Sequence, residues 1–145
     1  MIKIICVGKI KEKYLEDFIN DYKMRISKYT KIEIIELKDS NINDESTFIL
    51  KNINEKDYNI ALCLQGKKVD SYEFSKIIDK SFTNGYSKVT YIIGGSDGLS
   101  SNVLDKCNLK LSFSDLTFPH QVFRAILLEQ IYRSFKILNN ESYHK

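Results

Sequence analysis

Hydrophobic positions along the chain fall into two alternating patterns. Ile2 to Val7 is a β-branched-rich run closed by Gly8, the pattern of a strand buried on both faces. From Glu12 to Tyr29 the apolar residues Leu15, Phe18, Ile19, Tyr22 and Ile26 recur at steps of three and four, which predicts an amphipathic helix. Lys31 to Leu37 alternates Ile32, Ile34 and Leu37 with charge and predicts a second strand. Asp39 to Asp57 is the most polar stretch, where Phe48, Ile49 and Ile53 mark one modest helix between loops. Tyr58 to Leu64 reads as a third strand ending in Gln65-Gly66, and Ser71 to Phe82 as a helix that Asn84 and Gly85 stop. Lys88 to Ile93 is a fourth strand running into "GGSDGLS", Ser100 or Ser101 caps a short helix through Leu104, and Leu109 to Phe113 is a fifth strand. A long apolar helix follows the chain's single proline, Pro119. Strict β-α alternation of this kind predicts an α/β fold, a mainly parallel sheet with helices on both faces.

Composition narrows the class. The 145 residues, 43% hydrophobic and 28% charged, suit one globular domain spanning 1–145, without long disorder. The net charge of +3 permits an anionic partner without demanding one. Cys6, Cys63 and Cys107 are odd in number and show no CxxC spacing, which argues against a disulfide framework and against a metal site. Cys6 and Cys63 fall in apolar strand runs and read as buried, inert thiols in a reducing compartment. The N-terminal apolar run is too short for a membrane span and has no cleavage site, so a cytoplasmic protein without membrane attachment is expected.

In parallel sheets, ligands bind beyond the carboxyl ends of strands. Three such ends are unusual here: "CLQGK" after the third strand, "IIGGSDG" after the fourth and "SFSDLTF" after the fifth. Gly94, Gly95 and Gly98 allow close backbone approach, but G-G-x-x-G is not the dinucleotide fingerprint, and Lys68 after Gly66-Lys67 rules out a Walker loop. Thr117 is placed to cap the last helix and Pro119 to open it, leaving backbone N–H groups there for ligand oxygens. That helix carries Val122, Phe123, Ile126, Leu127, Leu128, Ile131, Tyr132, Phe135, Ile137 and Leu138, more than one stripe. It predicts a self-association surface or, as the alternative, a wholly buried central helix.

Taken together, "IIGGSDGLS", "LSFSDLTFPHQVFRAILLEQIYR" and the terminal "YHK" resemble the small SPOUT methyltransferases of the ribosomal RNA large subunit methyltransferase H type. The similarity runs from "VGKIKEKY" to the last residue. It implies a C-terminal deep trefoil knot, a homodimer, S-adenosylmethionine as cofactor, and methylation of N3 of a pseudouridine in 23S rRNA of the ribosome. Carried over by motif, the cofactor contacts fall at Leu62, Gly94, Phe113, Ser114, Asp115, Leu116, Thr117 and Phe118. The RNA-facing positions fall at His120, Arg124, Tyr143, His144 and Lys145, with Lys9, Lys11 and Lys13 as a phosphate-contacting loop. His144 as general base, or Arg124 as stabiliser of the developing anion, are the candidates for catalysis. Two other readings stay open: a non-catalytic α/β module that docks RNA or a nucleotide, and a SPOUT enzyme acting on tRNA, a type that usually appends an extra RNA-binding domain.

Overall fold

Ten elements alternate along the chain in a computed structural model that describes residues 1–144. They are β1 (Ile2–Val7), α1 (Lys13–Ser27), β2 (Ile32–Leu37), α2 (Ile42–Asn52), β3 (Tyr58–Lys68), α3 (Ser71–Thr83), β4 (Val89–Ile93), α4 (Ser101–Asp105), β5 (Leu109–Ser112) and α5 (His120–Leu138). The five strands form one sheet in the order β2-β1-β4-β3-β5, and every pairing is parallel. The expected α/β architecture is therefore observed.

Side chains alternate across a strand, so each central strand feeds two cores. Ile2, Ile4 and Cys6 of β1, with Tyr91 and Ile93 of β4, face the layer built from α1, α3 and α5. Ile5, Val7 and Ile92 face the opposite layer, where Ile49 of α2 and Val103 of α4 cover them. Both strands are buried on each side, which is why their sequences read as continuous apolar runs.

Two helices show how local sequence sets their ends. Asp70 and Glu73 make a reciprocal capping box at the start of α3, with Asp70 Oδ1 accepting from the Glu73 N–H at 2.8 Å. α5 starts differently: Pro119 occupies the N-cap position, and no side chain caps the helix, so Thr117 does not have the capping role expected of it. Lying against both α1 and α3, α5 buries Ala125, Leu127, Leu128, Ile131, Tyr132 and Phe135. Val122, Phe123, Ile126, Ile137 and Leu138 remain half-buried, so the helix is not wholly interior.

β3 departs from expectation. It continues through Gln65-Gly66 to Lys68 because pairing with β5 resumes at Lys67 and Lys68 after a register shift that begins at Leu62. Gly66 permits this: a Cβ there would lie 2.5 Å from the backbone of Leu111. Among the described residues no helix is long and apolar enough to cross a membrane.

Candidate functional site

The strand order decides where the last helix begins. β5 lies at one edge of the sheet, yet His120, the first residue of α5, sits beside Gly8 at the end of β1, three strands away. Residues 113–119 must therefore cross the carboxyl ends of β3 and β4. Beneath that crossing lies a cavity of about 380 Å³, walled by 62–65 from β3, 93–99 from β4 and its turn, and the crossing segment itself. This is where a parallel sheet with a change in strand order binds ligands.

The glycine turn forms one wall. Gly98 has a φ of +75°, and its N–H donates to the Gly95 carbonyl at 3.0 Å, closing the turn on itself. A Cβ on Gly94 would stand 2.5 Å from the Gly98 carbonyl oxygen, so the missing side chain is required by the turn's own packing before any ligand is considered. Behind it the buried Glu45 of α2 accepts from the Ser40 N–H at 2.9 Å and lies against Gly95.

Of the expected cofactor contacts, Leu62, Gly94, Phe113, Ser114, Leu116, Thr117 and Phe118 all line this cavity. Asp115 does not: its carboxylate points outward and pairs with Lys68, both side chains more than half exposed. Leu116 is 70% exposed and Leu64 54%, an apolar rim open to solvent. The Ser114 hydroxyl accepts from the Leu116 N–H at 3.0 Å and shapes the crossing segment. Cys63 also borders the cavity and is half-buried, unlike the wholly interior thiol expected, and burial pushes its pKa up. Cys6 is interior, and burial raises its thiol to about 12.

The expected RNA-facing residues separate into two places. His120 lines the cavity, and exposed Lys9 and Lys11 lie near it, since the Lys11 N–H donates to Gln121 Oε1 at 3.4 Å. Lys13 instead pairs with Asp17 along α1 at 3.0 Å. Arg124 is 1% exposed and does not face solvent: it pairs with Glu36 of β2 and donates through Nη2 to the Gly8 carbonyl at 2.8 Å. As placed, Arg124 reaches no RNA, because its guanidinium is committed to tying α5 to the ends of β1 and β2. These links to Glu36, and the neighbouring Asp39, escaped the sequence reading. Position at the end of a strand, the signal applied to β3, β4 and β5, applies equally to β2 and would have found them.

Tyr143 and His144 dock elsewhere. The Tyr143 hydroxyl lies 2.9 Å from that of Tyr22 and donates to Glu129 at 2.8 Å, with its ring edge-on to Tyr132. Burial, then the bonds to Tyr22 and Glu129, push its pKa up. His144 Nδ1 is 2.9 Å from Arg133 Nη1, and its ring stands edge-on to Tyr72. Neither lines the cavity, and Lys145 lies outside the described residues. Tyr143 and His144 thus pack on the surface of α1, α3 and α5. Among the described residues no group of His, Cys, Asp or Glu is arranged to hold a metal.

Comparison with known proteins agrees with this geometry. A family model described as "Predicted SPOUT methyltransferase" matches residues 1–144. A protein named ribosomal RNA large subunit methyltransferase H from Clostridium botulinum strain Langeland is 50% identical, and one of the same name from strain 657 is 48% identical, each alignment covering 99% of both chains. Among solved structures, a tRNA (m1G37) methyltransferase from Aquifex aeolicus superposes with a TM-score of 0.54 at 11% identity, covering 91% of this chain and 69% of the other. A probable methylase family protein from Haemophilus influenzae gives 0.58 at 12%, covering 99% and 70%. These last two share the fold. With a family model spanning nearly every residue, full-length relatives at about half identity, and the cavity at the ends of β3, β4 and β5 that the motifs foretell, the chain belongs to the SPOUT methyltransferase family.

Proposed function

We propose that this chain transfers a methyl group from S-adenosylmethionine to N3 of a pseudouridine in 23S rRNA of the large ribosomal subunit, acting in the cytoplasm. The observation that carries the reading is the convergence of seven of the eight expected cofactor positions on one cavity, in a chain whose full-length relatives are named ribosomal RNA large subunit methyltransferase H.

The cavity suits the methyl donor. Apolar Leu62, Leu116 and Phe118 offer contact to an adenine ring, while the backbone of the glycine turn and of 113–117 offers donors and acceptors without fixed charge. Once bound, S-adenosylmethionine supplies an electrophilic methyl group. What the chain must add is an acceptor held in line, and position alone removes much of the barrier. Arg124 contributes from the interior by fixing the Gly8 turn against β2. Lys9 and Lys11 supply phosphate contacts at the cavity mouth.

Self-association belongs to the same reading. Tyr14 (69% exposed) and Phe18 (39%) of α1, with Val122 and Ile126 of α5, line an apolar groove, and an apolar face of this kind favours a homodimer. Glu129, which holds Tyr143, lies in that groove, so the C-terminal residues border the proposed interface. A dimer formed there offers His144 a route to RNA bound at a second protomer. The knotted threading expected for the family accords with the path of 113–119 over β3 and β4. Mass-spectrometric mapping of 23S rRNA from a strain lacking the gene tests the reading: loss of one methylated pseudouridine is expected, and an unchanged modification profile would contradict it.

A further inference from the structure

At one corner, His120 lines the cavity beside Gly8 and Asp39, which lie just outside its lining. At Gly8 the backbone turns with φ +92°, and a Cβ placed there would stand 3.0 Å from Asp39 Oδ2 and 3.2 Å from His120 Nε2. The two groups thus converge over a residue whose missing side chain leaves the space between them open. His120 Nε2 is buried without a hydrogen-bond partner, while the ring lines the cavity. With Nε2 turned toward Gly8 and Asp39, Nδ1 is the nitrogen left for a ligand. The corner is braced from below: Arg124, one turn along α5, donates to the Gly8 carbonyl and pairs with Glu36. Asp97 is the other charged residue that lines the cavity.

We propose, resting on the methyltransferase reading, that His120 is the proton acceptor of the reaction and that Asp39 is its positioning residue. Asp39 makes no hydrogen bond to Nε2, but a carboxylate on that side of the ring favours the proton on Nε2 by its charge and leaves Nδ1 with a free lone pair, the way carboxylates set the tautomer of a basic histidine. Nδ1 takes the N–H proton of the acceptor base as the nitrogen–methyl bond forms and the sulfonium–methyl bond breaks. The thioether leaves uncharged, and the imidazolium, stabilised by Asp39, returns its proton to solvent. The acceptor class this corner fits is a planar nucleobase carrying an acidic ring N–H, presented at the end of β1. His144, held by Arg133 and Tyr72, is not needed for this step within one protomer.

The chain has only two histidines, so a histidine-selective ¹⁵N spectrum resolves the tautomer of each in the free protein, independently of activity. His120 is expected with its proton on Nε2, and Asp39→Asn is expected to redistribute it. The same variant should lower kcat for methyl transfer to ribosomes about tenfold with KM for S-adenosylmethionine unchanged, while His120→Ala falls about a hundredfold and recovers in part with added imidazole. A parent protein that transfers no methyl group to ribosomes would sink the methyltransferase reading and this proposal with it. An active parent, with Asp39→Asn at the parental tautomer and kcat, would overturn the proposal alone.

Discussion

Tyr91 illustrates what a single side chain contributes in this molecule. It is fully buried at the centre of β4, its ring stacks on Phe74 with centroids 5.7 Å apart, and its hydroxyl has no partner among the described residues. Burial drives its pKa far up, so the group stays neutral, but an unpaired buried hydroxyl still opposes folding. Tyr91→Phe keeps the ring and removes the orphan, and should leave stability unchanged or raise it by about 1 kcal/mol. Chemical denaturation decides the matter: a loss of stability on that scale would mean the hydroxyl has a partner in solution. Gly94 teaches a related caution. Gly94→Val would drive a side chain into the Gly98 carbonyl, so lost cofactor binding in that variant would report a broken turn, not a blocked ligand.

At the scale of elements, periodicity was a reliable guide where one face of an element is buried and a poor one where two distant segments meet. β1 is bounded as its apolar run predicts, and the polar stretch Asp39 to Asp57 does hold a single helix. The extension of β3 was illegible because it depends on β5, more than forty residues away, pairing with Lys67 and Lys68. The interior placement of Arg124 was hidden likewise, since charge in a sequence reads as surface until its partners, Glu36 and the Gly8 carbonyl, are known. Conversely, "GGSDG" and "SFSDLTF" pointed to the cavity because strand-end loops are local features. Gly66→Ala tests the non-local part. Its Cβ would meet the backbone of Leu111, which cannot give way as a flexible side chain can, so β5 must separate from β3. The expected result is a loss of about 2–4 kcal/mol, within the upper tail for single substitutions, together with weakened cofactor binding at the Ser112 wall. A variant as stable as its parent would show that the β3–β5 register is not as described. Glu36→Ala should act through Arg124, leaving an interior cation with the Gly8 carbonyl as its remaining partner. Because the Glu36 side chain is 38% exposed, about 1–2 kcal/mol is expected by denaturation, below the cost of breaking a fully buried pair. No measurable loss would mean that solvent reaches the guanidinium.

For the whole molecule, the layer of α1, α3 and α5 carries two responsibilities. Its inner side covers the sheet, and its outer side presents the Tyr14 and Phe18 groove bordered by the docked Tyr143. Placing a charge in that groove should break self-association without disturbing the core, because Phe18 is an exposed side chain on α1. Sedimentation at micromolar concentration is expected to show a dimer for the parent and a monomer for Phe18→Glu. A monomeric parent would contradict the proposed interface. The cavity and the groove share no lining residue, so the variant should retain cofactor affinity while losing whatever a partner's C-terminal residues add to RNA binding. The activity on which everything else depends is the movement of a methyl group to ribosomal RNA. Purified ribosomes lacking the modification, incubated with the protein and methyl-tritiated S-adenosylmethionine, should acquire label in 23S rRNA that nucleoside digestion recovers as N3-methylated pseudouridine. Unlabelled ribosomal RNA, or label that appears only in tRNA offered alongside, would contradict it.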